Sequence, residues 1–246
     1  MIIGKIDYIN LLPFYIFLKK ELKNSSSRKA LEFYKGTPAQ VNKKFIKRRV
    51  EAAVISSIFS PKYRCSDFGI VAYQRVLSVL ICPGPPKEDK ESNTSNILAK
   101  VLGIQGEVRI GDKALLQKNP TCKDLASLWY KKTGLPFVFA RFCYHPKKAK
   151  EYEALADNFL KSHIKIPTYL LKRYAKRSGV SQKEIRHYLK LIGYKIQKKE
   201  KMGLKKFLYL AKRVKNENKT TFTTHTTAVA SCPTPLCPHS QKDSLQ

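Results

Sequence analysis

Residues 1–20, MIIGKIDYINLLPFYIFLKK, admit three readings: an export signal, a membrane anchor, or the first strand and helix of an α/β layer. An export signal needs an unbroken apolar run and a small-residue cleavage site. Here Asp7, Asn10 and Pro13 interrupt the run, and the KKELKNSSS that follows carries no such site. A membrane helix needs about 20 apolar residues in a row, and the same three residues deny it that length. What remains is a strand, IIGKIDYI, a turn at Asn10 and a helix opening near Pro13. Proline loses no hydrogen bond in a first helical turn, because that amide has no helical partner anyway. On this reading Asn10 stands at the end of a strand, no membrane insertion is expected, and the chain is expected in the cytoplasm.

The same alternation continues outward. NSSSRK reads as a loop and ALEFYKG as a strand; Thr37-Pro38, a cap followed by proline, opens a helix in PAQVNKKFIKRR. VEAAVISSIF is a buried strand ending at Ser56 and Ser57, and FGIVAY and VLSVLICPG are further strands. Ser92 or Thr94 caps a helix in TSNILAKVLG; EVRIGDKALL gives a strand, a turn and a helix; DLASLWYKKTG is a helix closed by Gly134, followed by the apolar strand LPFVFARFCY. From Lys147 the pattern is helical as far as Val214. Strands alternating with helices over the first 145 residues predict α/β layering with mainly parallel strands, covered by the closing helices. Residues 215–246 are Thr-, Ser- and Pro-rich without a period and read as a disordered tail.

Composition sets outer bounds. A chain of 246 residues with 43% hydrophobic and 11% aromatic residues is globular and buries one good core or two modest ones. The formal charge of +30 is concentrated late, with eighteen Lys and Arg against Glu184 and Glu200 between Lys161 and Lys215. Those cations interleave with the apolar positions of amphipathic helices, as a solvated outer face does. No zinc-finger spacing, RNP-type aromatic motif or GXXG loop accompanies them, so no specific nucleic-acid partner is expected. Cys65, Cys82, Cys122, Cys143, Cys232 and Cys237 are scattered, form no C-x-x-C pair, and read as reduced thiols. Cys232, Cys237 and His239 lack a fourth ligand, so no metal site is expected there.

No Walker motif, G-x-G-x-x-G, H-E-x-x-H or G-x-S-x-G is present, so spacing alone names no reaction. Polar residues at strand ends say more. Asn10, Ser56, Ser57, Ser78, Thr94, Ser95 and Asp112 all fall at or near such ends, where open α/β sheets bind ligands. Each alone serves equally as a cap or turn; together they suggest a polar cleft beside helix N-termini, suited to a small carboxylate.

Several segments, taken together and in order, resemble the chorismate dehydratases of the futalosine route to menaquinone: GKIDYINLLPFY, GTPAQVNKKFIKRRVEAAVISSI, VLSVLI, SNTS, VRIGDKAL and LWYKKTGLPFVFARF. The resemblance implies a two-lobe, periplasmic-binding-protein-like α/β fold of type 2 with a helical C-terminal block. Lobe 1 would take residues 1–80, lobe 2 residues 81–136, and the return strand and closing helices residues 137–214. It also implies a reaction, the loss of water from chorismate to give 3-[(1-carboxyvinyl)oxy]benzoate, and two catalytic residues, Asn10 and Ser78. Ser92, Thr94, Ser95 and Asp112 carry over as cleft lining, and Ser56, Ser57 and Arg75 join them as substrate-binding candidates. The dehydration involves no redox change and no electron sink, so no cofactor is expected. The base is either Asp112 or, preferred because the matched motifs are poor in titratable groups, the substrate's enolpyruvyl carboxylate. The chain departs from the family's pattern at Arg48 and Glu51, where glycine and aspartate are common, and in a short spacing from Ser95 to Gly111. The rival reading is a non-catalytic two-lobe protein that holds a small anion.

Overall fold

The computed structural model describes residues 1–226, and residues 1–211 form one compact unit with residues 212 onward in a second. In chain order the elements begin with β1 (Ile3–Ile6), α1 (Leu12–Glu21), α2 (Ser25–Phe33), β2 (Lys35–Gly36), α3 (Pro38–Ile46), β3 (Ala52–Ser56) and β4 (Arg64–Ala72). The chain then makes β5 (Val79–Cys82), α4 (Asn93–Leu102), β6 (Glu107–Ile110), α5 (Asp112–Leu115), β7 (Lys123–Asp124) and α6 (Leu125–Thr133) before returning through β8 (Phe137–Tyr144). It closes with α7 (Ala149–Lys161), α8 (Thr168–Ser178), α9 (Gln182–Leu191), β9 (Ile192–Lys195) and α10 (Lys198–Thr226).

The strands form two sheets. A six-stranded sheet runs β2-β1-β3-β8-β4-β9, and a three-stranded sheet runs β6-β5-β7. Only β2-β1 and β1-β3 pair in parallel; the pairs made by β8, β9, β6 and β7 are antiparallel. The expectation of mainly parallel strands is therefore overturned. The cause is the return: after the small sheet, β8 comes back between β3 and β4 and opposes both. Local alternation of strand and helix carries no trace of such an insertion.

Two further expectations change. Asn24 caps a helix through Ser26 N at 2.7 Å, so SSSRKALEF is α2 and the expected strand shrinks to Lys35–Gly36. IGYK, expected to continue a helix, is the edge strand β9 on β4. By contrast Thr37 and Gln40 form a reciprocal capping box with Pro38 in the first turn of α3, as the spacing predicts. α10 runs on past Val214, where the sequence pattern ends, to Thr226; the rest of the expected tail, with Cys232, Cys237 and His239, lies outside the described residues. Arg48, where the family favours glycine, adopts φ 55°, a left-handed conformation that costs an L side chain about 1 kcal/mol. Glu51 is absorbed differently: its carboxylate accepts from Ile2 N at 2.9 Å and from Tyr152 Oη at 2.7 Å.

The cysteines are also corrected. Cys65 and Cys143 face each other in the β4-β8 register and are joined by a disulfide, and Cys82 is joined to Cys122. With the partners 78 and 40 positions apart in sequence, only the assembled sheets bring the thiols together, which is why a scattered spacing read as free thiols.

The core beneath the large sheet is aromatic. Phe14 on α1, Phe68 on β4 and Phe159 on α7 pack with ring centroids 4.6–5.1 Å apart, and Phe142 on β8 joins at 5.6 Å. Each of the first three comes from a different element, so one cluster binds the N-terminal helix, the sheet and the first closing helix together. Trp129 on α6 packs edge-on to Phe137 at 5.4 Å, tying the helix that ends the small sheet's excursion to the start of the returning strand.

Candidate active site

The end of β1, the first turns of α3 and α4 and the segment joining β4 to β5 converge on one cleft between the two sheets. It spans about 580 Å³ of non-atom space, open mouth included. Its polar lining is neutral: Tyr8, Asn10, Ser56, Ser78, Ser92 and Ser95, with apolar walls from Val54, Ile70, Ile110 and Phe139. Among the described residues no carboxylate, Lys or Arg lines it.

Each polar group is held from behind. Ser78 follows Leu77, whose φ of 61° is a conformation that L side chains seldom take and that surrounding contacts must enforce. The enforcing group is the Asp124 carboxylate, which accepts from Val76 N at 2.9 Å and Leu77 N at 2.7 Å while capping α6 through Ser127 N. Ser78 Oγ accepts from Tyr188 Oη at 2.8 Å. Ser56 Oγ accepts from Asn42 Nδ2 at 2.8 Å, and its amide donates back to Asn42 Oδ1. Ser92 caps α4 through Ser95 N and donates to Ser95 Oγ at 2.8 Å. The carbonyl of Asn10 accepts from Tyr194 Oη at 2.7 Å, whereas its side-chain Oδ1 is buried with no partner among the described residues. A buried polar atom without a partner is costly, and this one belongs to a side chain that lines the cleft.

The two sides of the cleft are latched. Tyr8 Oη donates to Glu91 Oε2 at 2.5 Å, and Ile58 N donates to Thr94 Oγ1 at 3.4 Å. Gly111 donates its amide to Ser78 O at 2.9 Å with φ 69°, and a Cβ there would lie 2.6 Å from the Tyr8 ring, so both conformation and space demand glycine. Arg177 on α8 spans the mouth, 2.7 Å from Asp7 on one side and 2.7 Å from Asp112 on the other, stacked on the Tyr174 ring.

Of the candidates, Asn10, Ser56, Ser78, Ser92 and Ser95 share the cleft; the other four stand elsewhere. Ser57 Oγ donates to Val138 O at 2.6 Å, Thr94 serves the latch, and Arg75 is exposed outside the lining. Asp112 accepts from Ile9 N at 3.1 Å and from Arg177; burial pushes its carboxyl up, against the pull of those two partners. Tyr188 and Tyr194 went unrecognised because IRHYLKLIGY places them where any amphipathic helix keeps its core residues. Arg177 went unrecognised as one cation among many.

The latch makes a prediction. Burial alone would raise Asp7, but hydrogen bonds from Lys35 and Tyr174 and the Arg177 charge outweigh it and hold the carboxyl well below the usual range. A depressed folded-state pKa stabilises the fold above the unfolded value and loses that contribution as pH falls below it. Arg177→Ala is expected to cost about 2 kcal/mol at pH 7, read by urea denaturation. Asp112, pushed up by burial, gives up its pairing first as pH falls, and the gap to wild type should shrink further below about pH 4 as Asp7 protonates; a gap unchanged at pH 2 would show that the ion pairs are not its source.

A mixed α/β fold of two sheets, with a neutral polar cleft between them and latches across it, suits a protein that encloses a small polar ligand. A sequence model described as menaquinone biosynthesis matches residues 1–109 and 91–213, and the chain belongs to that family. It is 48% identical over 219 residues to a chorismate dehydratase of Campylobacter jejuni subsp. jejuni, covering 86% of this chain and 98% of that one. It is 26% identical over 261 residues to a chorismate dehydratase of Thermus thermophilus, covering 84% and 93%. Among solved structures, a protein from Archaeoglobus fulgidus superposes with a TM-score of 0.63 at 13% identity, over 86% of this chain and 96% of that one, a likeness of fold.

Proposed function

We propose that this chain is a chorismate dehydratase, which eliminates water from chorismate to give 3-[(1-carboxyvinyl)oxy]benzoate for menaquinone biosynthesis. The observation that carries the reading is the juxtaposition of Asn10 and Ser78 in a neutral cleft, in a chain that aligns with nearly all of a chorismate dehydratase. The ring proton leaves from the carbon bearing the enolpyruvyl ether. The electron pair spreads through the conjugated double bond onto the ring carboxylate, then expels hydroxide from the neighbouring carbon, so that water departs and the ring becomes aromatic. The barrier lies in the first step. Donors aimed at the carboxylate lower it, each by roughly 3 kcal/mol in a site shielded from water. Ser78 and Asn10 fill that role here, and Ser92, Ser95 and Ser56 bind the remaining oxygens.

The base is the substrate's own enolpyruvyl carboxylate. No carboxylate of the chain lines the cleft among the described residues, and Asp112 is engaged by the Ile9 amide and Arg177. The lobes of this reading are residues 1–80 and 81–136, with the return strand and closing helices in 137–214. The enzyme works in the cytoplasm, without a specific nucleic-acid partner; no helix among the described residues is long and apolar enough to cross a membrane. The test is direct. Purified protein mixed with chorismate, followed by chromatography with mass detection, is expected to yield an aromatic product lighter by one water. Chorismate recovered unchanged from folded protein would favour the anion-holding alternative.

A further inference from the structure

The reaction as written leaves Tyr188 unused, although it stands directly behind the site. It lies on α9, is 2% exposed, and donates its hydroxyl to Ser78 Oγ at 2.8 Å. Tyr188 does not line the cleft, so it touches no substrate; it touches Ser78, which would.

Proton bookkeeping gives the contact its meaning. A serine hydroxyl has one proton and two lone pairs, and an asparagine amide donates through nitrogen and accepts through oxygen. Tyr188 fills a lone pair of Ser78, and among the described residues the Ser78 hydroxyl has no acceptor of its own. Its proton is therefore left for the cleft. Were the direction reversed, with Ser78 donating to Tyr188, the tyrosine proton would need another acceptor. Among the described residues Tyr188 Oη has no hydrogen-bond acceptor but Ser78 Oγ. The order that fits is Tyr188 to Ser78, and Ser78 to the ligand. Each donated bond polarises the next.

We propose that Tyr188 is a positioning residue for the dehydration, holding Ser78 as a donor toward the substrate carboxylate. This rests on the dehydratase reading above. It assigns to a helix of the C-terminal block a share in the chemistry of a cleft that it does not line.

The experiment compares wild type with Tyr188→Phe, Ser78→Ala, the double variant, and Tyr152→Phe, which loses a tyrosine hydroxyl bonded to Glu51 away from the cleft. Chorismate is the substrate throughout, with thermal melting recorded for each protein. Tyr188→Phe is expected to lower kcat about 30-fold with KM changed less than about twofold, as for an interaction that strengthens in the transition state. The double variant should be no slower than Ser78→Ala alone, because Tyr188 acts through that serine. Tyr152→Phe should melt lower but turn over normally. Wild-type kcat in Tyr188→Phe, a loss that adds fully to that of Ser78→Ala, or a Tyr188→Phe protein that fails to fold would each overturn the assignment. A folded wild type that leaves chorismate unchanged would instead overturn the dehydratase reading, and this one with it.

Discussion

Ser78→Ala and Asn10→Ala are each expected to slow chorismate turnover about a hundredfold or more, the usual cost of removing one donor to a developing oxyanion. The fold should survive both. Ser78 is a residue of the segment joining the sheets, whose path is set by Asp124 on the amides of Val76 and Leu77, and those bonds do not involve its hydroxyl. Its substitution strands the buried Tyr188 hydroxyl, a stability cost of about 1–3 kcal/mol. Asn10 holds its place through its main-chain carbonyl, bonded to Tyr194 at 2.7 Å, which alanine keeps. Its Oδ1 already lacks a partner, so truncation should leave stability nearly unchanged or raise it slightly. The two variants therefore separate on melting while agreeing on rate. Steady-state kinetics and melting curves on the same preparations check this, and near wild-type turnover in either variant would remove that residue from the site.

Phe68→Ala should produce the largest loss of stability, about 4 kcal/mol, in line with truncating a fully buried phenylalanine. Phe68 is 0% exposed and meets Phe14 at 4.6 Å and Phe159 at 4.8 Å, so the cavity would open between α1, β4 and α7. β4 is fixed by its ladders to β8 and β9, so the sheet side has little freedom to collapse into the gap. Against a total stability of roughly 5–15 kcal/mol, such a loss is a large fraction. The same cluster supports Tyr194, 6.2 Å from Phe68 and 5.4 Å from Phe159, whose hydroxyl fixes the Asn10 carbonyl. Turnover per folded molecule should fall as well, several-fold. Phe33→Ala, at a ring 77% exposed, is the control and should cost under about 0.5 kcal/mol. Urea denaturation of both variants decides it; a Phe68→Ala loss below 1 kcal/mol would show that the cluster is redundant.

Asn10, Ser56, Ser78 and Ser95 were legible as cleft candidates because they fall at or near strand ends, positions that in layered α/β folds face a common edge, and Ser92 through the family resemblance of SNTS. Thr94 and Ser57 look identical by that rule. What separates them is side-chain direction: Thr94 points to the Ile58 amide and Ser57 to the Val138 carbonyl, and both acceptor and donor come from distant chain. Asp112 shared a motif with the site yet was drawn to Arg177, 65 residues later. Arg75 carried the right charge for a carboxylate ligand, but the strained turn at Leu77 carries it out into solvent.

Local signals reached as far as local physics does. Capping chemistry announced α3 and α4, apolar runs announced β3, β5 and β8, and the broken run of residues 1–20 decided for a strand and a covering helix. These depend on residues a few positions apart, which any window along the chain contains. The insertion of β8 between β3 and β4, the disulfides of Cys65 with Cys143 and Cys82 with Cys122, and the approach of Tyr188 to Ser78 across 110 residues depend on how whole layers stack. Stacking is set by the total apolar surface each layer must bury, a property of the assembled chain that no single segment carries.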